Sequence, residues 1–81
     1  MQVTVLLFGP EAALAGRPFV SVEVGSHATC RDVLSGLAEQ WPALRAAVQT
    51  ARLAVNHSFS GPDQPVQRSD ELALIGPVSG G

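Results

Sequence analysis

The two most apolar stretches of this chain stand at its opposite ends: Val3 to Phe8, interrupted only by Thr4, and Leu72-Ala73-Leu74-Ile75. Apolar runs of strand length without polar alternation belong to strands buried on both sides. The expectation is that the first and last strands lie side by side in the middle of one sheet, with everything between them folded around that pair. At 81 residues the chain has room for one core, which buries roughly 60–65% of the surface its unfolded form exposes. With 46% apolar and 15% charged residues, it reads as a folded globular domain.

Gly9-Pro10 ends the first apolar run as a turn signal. One face of that strand meets the core, and the other, through Leu6 and Phe8 or through Val5 and Leu7, requires a cover. Glu11 to Ala15 reads as a single helical turn before Gly16, and Phe19 to Val24 alternates as a half-buried strand ended by Gly25. Thr29 and Asp32 have capping-box spacing and open the main helix, whose apolar positions Val33, Leu34, Leu37, Ala38 and Trp41 recur at helical spacing. Pro42 stops that helix and suits the first turn of a second, short one reaching Thr50, with Leu44, Ala47 and Val48 on one side. Arg52 to Val55 is a third strand, Asn56-His57 a turn, Ser60 to Asp63 a loop, Pro65-Val66 a short edge strand and Leu72 to Ile75 the last strand. The fold class is therefore α+β, a mixed sheet of about four to five strands with one main helix packed across it. Residues 1–75 form the domain and 76–81 a flexible tail that leaves from the middle of the sheet.

Composition narrows the functional classes. The net charge is −2, and the five arginines are scattered, so nucleic acid is not an expected partner. No apolar run has the length of a bilayer span, and Met1-Gln2 opens into a strand without a charged leader, which gives the expectation of a cytoplasmic protein with no membrane partner. His27 and Cys30 offer two metal ligands where a tetrahedral site needs four, so no metal is expected. Cys30 falls on the first residue of the main helix, where the helix dipole would lower its pKa. A reactive thiol and a plain capping-turn residue are the two readings of that position. Trp41 ends the apolar stripe and reads as core. What remains is the last segment, Gly76-Pro77-Val78-Ser79-Gly80-Gly81. Two glycines without side chains let a carboxylate enter a narrow channel unhindered, so the diglycine end is the expected working part. Lysine is absent, so any amine joined to that end lies on another protein or at this chain's own N-terminus.

Taken in order, the Val3–Phe8 strand with Gly9-Pro10, the Thr29-capped helix, Leu53-Ala54-Val55-Asn56, the Asp70-Glu71 turn and the segment from Ile75 to Gly81 resemble the small subunit of molybdopterin synthase. That is a family of ubiquitin-like sulfur carriers with a β-grasp fold. Ala12-Ala13 departs from the arginine-glutamate pair usual after the family's first strand. The resemblance implies that Gly81 is the reacting residue. An E1-like adenylating enzyme would join its carboxylate to AMP with magnesium and ATP, and a persulfide donor protein would convert it to a thiocarboxylate. The larger synthase subunit would house sulfur transfer to the pterin precursor, within a heterotetramer. No cofactor is held by the chain itself in this reading, and Gly80, Ser79, Val78 and Pro77 thread the tail into the partners.

An apolar outer sheet face would give such partners a grip. Phe8, Phe59 and Leu74 are the candidates, with core placement the alternative for each. Two other readings share the tail: a sulfur carrier for the thiamine thiazole or for tRNA thiolation, and a ubiquitin-like protein modifier. Thiamine carriers are typically shorter and lack the segment between Trp41 and Arg52, which ranks that reading lower.

Overall fold

The computed structural model describes residues 1–77. Its strands are β1 (Gln2–Leu6), β2 (Phe19–Glu23), β3 (Arg52–Val55), β4 (Ser58–Phe59) and β5 (Leu72–Ile75). They join in one mixed sheet of order β2-β1-β5-β3-β4. β1 and β5 pair in parallel, and the pairs β1 with β2, β5 with β3 and β3 with β4 are antiparallel. β5 is therefore the central strand, flanked by β1, as the two terminal apolar runs require. This arrangement, with a helix crossing one face, is the ubiquitin-like β-grasp.

Helix α1 (Gly9–Ala15) joins β1 to β2, α2 (Cys30–Gln40) is the main helix, and a 3-10 turn at Pro42–Leu44 leads into the short α3 (Arg45–Val48). The capping box forms: the Thr29 N–H donates to Asp32 Oδ2 at 2.9 Å, satisfying a donor that the first helical turn cannot. Cys30, Val33 and Leu37 of α2 pack with Leu44 onto Val3, Val5, Val20, Val22, Leu53, Leu72 and Leu74 of the sheet. Gly36 also faces the sheet, and a Cβ there would come 2.6 Å from Val22 Cγ1. The missing side chain lets α2 close onto β2.

Three local expectations differ from the structure. β1 ends at Leu6, and the chain does not simply turn at Gly9-Pro10: Phe8 is the N-cap of a seven-residue α1 that accepts Pro10 in its first turn. The edge strand is Ser58–Phe59, not Pro65-Val66. Pro65 forms only an isolated bridge with Thr29, while Asn56 (φ 52°) and His57 (φ 72°) both take left-handed backbone, the geometry of a two-residue turn that returns the chain along β3. Leu74, a candidate for the outer patch, is fully buried against the helix layer. In a strand apolar on both faces the sequence carries no phase, and contact with α2 gives Leu72 and Leu74 to the core and leaves Ala73 and Ile75 on the other face.

Candidate functional site

Because successive residues of a strand point to opposite faces, burying Val3, Val5, Leu7, Leu53, Leu72 and Leu74 turns Leu6, Phe8, Ala54, Ala73 and Ile75 to the helix-free side. There, with Phe59 of β4, they line a shallow apolar groove over the central strands. Phe8 and Phe59 are 53% and 55% exposed, a large apolar area for a small domain to leave in water. Phe19, also on this side, is half exposed and pairs across the ladder with Leu6. Phe8 and Phe59 thus stand on the surface at one groove, and Leu74 does not join them there. Of the two outer faces open for the first strand, the structure takes Leu6 with Phe8, while Phe19 and Ile75 were not among the sequence candidates. Their signal was the period-two parity that also assigns Val5, Val20 and Leu74 to the core, readable once one buried residue per strand is known.

The rim of the groove is polar and ordered. His57 Nε2 lies 3.1 Å from Glu71 Oε2. Arg52 places its guanidinium carbon 4.4 Å from the centroid of the Phe59 ring, a cation–π contact that holds the ring against β3. Below the rim, Asn56 ties the hairpin to the turn before β5. Its Nδ2 donates to Asp70 Oδ1 at 3.0 Å, and its Oδ1 accepts from the Glu71 N–H at 2.9 Å. The backbone adds a bond from the Asn56 N–H to the Glu71 carbonyl at 2.8 Å. Phe59 and the central strand are in this way held in fixed relation.

β5 delivers the chain to Gly76 and Pro77 at one end of this groove. Two concavities flank those residues, one walled by Phe8, Pro10 and Glu11, the other by Thr50, Arg52 and Phe59. A Cβ at Gly76 would come 2.9 Å from Glu11 Oε1, so the absence of a side chain lets the α1 carboxylate lie against the backbone here. The ring of Pro77 restricts that residue's own φ. Of the proposed threading segment, Pro77 is thus at the exit of the central strand, and Val78, Ser79, Gly80 and Gly81 lie outside the described residues.

The remaining sequence candidates sit elsewhere. Cys30 is buried beneath the loop after β4, and its N–H donates to the Gln64 carbonyl at 2.9 Å. Burial pushes its thiol pKa up and the Asp70 charge adds to that, against an opposing hydrogen bond with Ser60. This corrects the expectation of a dipole-lowered pKa: desolvation outweighs the helix terminus, and the reactive-thiol reading loses its basis. Trp41 is half-buried at the end of α2, donating its indole N–H to the Ser21 carbonyl at 3.0 Å with the Arg17 guanidinium over its ring. Among the described residues no group of three or more His, Cys, Asp or Glu side chains is placed to hold a metal ion, and no helix is long and apolar enough to cross a membrane.

A family model described as the ThiS family matches residues 5–81. Over 81 residues the chain is 33% identical to the molybdopterin synthase sulfur carrier subunit of Arabidopsis thaliana, covering 100% of this chain and 84% of that protein. It is 32% identical over 83 residues to the subunit of the same name from Chlamydomonas reinhardtii, with 100% of both chains covered. Among solved structures, SAMP1 from Haloferax volcanii superposes with a TM-score of 0.86 at 31% identity, covering 100% of each chain. With the main helix, strands β2 to β5 and the Gly-Gly sequence all inside the matched span, the chain belongs to the ThiS family, and its full-length relatives include molybdopterin synthase sulfur carrier subunits.

Proposed function

We propose that the protein is the sulfur-donating subunit of a molybdopterin synthase, with the carboxylate of Gly81 as the atom-carrying group. The observation that carries this reading is the full-length similarity to sulfur carrier subunits of that enzyme, running through the Gly80-Gly81 end. A carboxylate resists attack because both oxygens share its negative charge and neither leaves readily. Joining it to AMP supplies a leaving group, and the ATP and magnesium for that step belong to an activating partner. The terminal sulfur of a persulfide then attacks the acyl carbon and displaces AMP. A second thiol of the donor side cleaves the S–S bond of the resulting acyl disulfide, leaving the thiocarboxylate on Gly81 and a disulfide on the donor. The resulting thiocarboxylate is ionised at neutral pH and attacks the pterin precursor without a base of its own, within a pocket of the large subunit. The β-grasp domain contributes a rigid mount: β5, hydrogen-bonded on both sides, carries the start of the tail, and the apolar groove beside it offers the large subunit and the activating enzyme a surface to hold. Once the domain is docked, the tail acts at high effective concentration.

The test is intact-mass analysis after incubation with the activating enzyme, magnesium and ATP, a persulfide donor and a thiol reductant. The expected product has one oxygen replaced by sulfur, and a variant lacking Gly81 folds normally but gains no sulfur. Persistence of free carboxylate in the full chain under these conditions would refute the carrier reading. The likeness to SAMP1, a small archaeal modifier protein, favours one second reading, in which Gly81 is joined to lysines of other proteins. Gly81-linked branched peptides on other proteins would support it, and the absence of lysine here excludes lysine-linked chains of this protein on itself.

A further inference from the structure

A sheet that is not closed exposes two edges, and an exposed edge recruits further strands, including those of a second copy. β2 is one such edge. Its bonds to β1 run through the pairs Leu7 with Pro18 and Met1 with Val24. In an antiparallel ladder bonded pairs alternate, so Val20 and Val22 turn their N–H and C=O groups inward while Phe19, Ser21 and Glu23 turn theirs outward. Three of those six outward groups are already taken. The Glu23 N–H donates to Gln40 Oε1 at 2.9 Å, Gln40 Nε2 donates to the Glu23 carbonyl at 2.8 Å, and Trp41 Nε1 donates to the Ser21 carbonyl at 3.0 Å.

The placement of these two side chains follows from the sequence. Gly36 lets α2 approach β2, where any Cβ would collide with Val22. Pro42 disfavours helical backbone at the residue before it. Trp41 accordingly leaves the helix at φ −127° and ψ 78°, with its indole beside Ser21 and beneath Arg17.

We infer that Gln40 and Trp41 are guards that keep the β2 edge from pairing with the β2 edge of a second copy. Antiparallel pairing of two copies about a two-fold axis at Ser21 is self-complementary: Ser21 faces Ser21, and Phe19 faces Glu23 in both directions. Each facing pair contributes two ladder bonds, six in all. Four of them use a Glu23 N–H or carbonyl and the other two use a Ser21 carbonyl, so every bond of that ladder needs a group now held by Gln40 or Trp41. Three side-chain bonds per copy therefore close the whole dimer register. The inference is independent of what the tail carries.

Hydrogen exchange and sedimentation velocity test it. In the wild type the Glu23 amide, though on an edge strand, is expected to exchange at least about tenfold more slowly than an unprotected amide. Exchange at the unprotected rate would overturn the guard and needs no variant to observe. In Gln40→Ala/Trp41→Phe, folding being checked by circular dichroism, the association constant for a dimer is expected to rise by at least about tenfold. Adding Ser21→Pro removes an outward donor without touching the bonds to β1, and is expected to return the double variant to monomer. A folded double variant that sediments as wild type, or a dimer that survives Ser21→Pro, would overturn the proposal. If the double variant does not fold, Gln40→Ala alone decides by the same criterion, since it frees four of the six bonds.

Discussion

At the scale of single residues, Cys30 shows how position in the fold overrides position in an element. A thiol at the first residue of a helix meets the positive end of the dipole, yet here the flanking donors are already engaged. The N–H groups of Cys30 and Arg31 reach the carbonyls of Gln64 and Pro62, each at 2.9 Å, and the sulfur lies in the core. Burial, which disfavours the thiolate, then dominates. The folded thiol has the higher pKa, so above the pKa of the unfolded thiol the unfolded state binds fewer protons and stability falls with rising pH. The contribution is present in full below the unfolded value, which is 9.0 for an unperturbed cysteine, and is lost as pH climbs through the higher folded value. Melting temperatures measured from neutral pH upward should decline in the wild type, and less steeply in Cys30→Ala. Alkylation at neutral pH should be slow in the native protein and fast in denaturant, whereas rapid native alkylation would show an accessible thiolate.

At the scale of elements, the β3–β4 hairpin is where local sequence and observed backbone conflict most. A two-residue hairpin turn wants φ above zero at both central positions and is best served by Asn-Gly. Asn56 tolerates that conformation and gains the bonds to Asp70 and Glu71, but His57 at φ 72° carries a Cβ that a left-handed residue accommodates poorly. Its exposed pairing with Glu71 recovers little. His57→Gly is expected to stabilise the fold by about 0.5 kcal/mol, the relief of the turn being reduced by the greater freedom of glycine in the unfolded chain. Urea denaturation measures this, and a loss of stability would mean that the His57–Glu71 contact outweighs the turn. This hairpin also marks the limit of what the chain shows on its face. The bounds of β3 and β5, the Thr29–Asp32 cap and the neighbouring of the first and last strands were legible, because each rests on a local pattern or on a strong apolar run. The Ser58–Phe59 strand was not, since two residues carry no periodicity and Asn-His is a weak hairpin signal beside the more strand-like Pro65-Val66. The phase of β5 was not either, and with it went the assignment of Leu74 to the surface.

At the scale of the whole molecule, the helix layer spends the apolar residues of one sheet face on the core, and the other face is left with aromatic rings in water. With Phe8, Phe19 and Phe59 about half exposed on the helix-free face, the fold gains only part of the burial that these rings could supply. Phe8 and Phe59 line the groove that ends at Gly76 and Pro77, which is what the proposed docking role for the domain requires. The two roles separate by mutation. Because Phe8 and Phe59 are each about half exposed, replacing either by alanine removes only part of an aromatic burial and should cost at most about 1 kcal/mol of folding stability. At the centre of a partner interface the same truncation should weaken association by about 1–2 kcal/mol, roughly ten- to thirtyfold. Titration calorimetry of Phe8→Ala and Phe59→Ala against the large synthase subunit, alongside urea melts of the isolated variants, gives both quantities. Binding that survives both substitutions would move the docking surface off this groove and leave the exposed rings unexplained. A loss of folding stability as large as the loss of binding would instead make Phe8 and Phe59 part of the scaffold that holds β5.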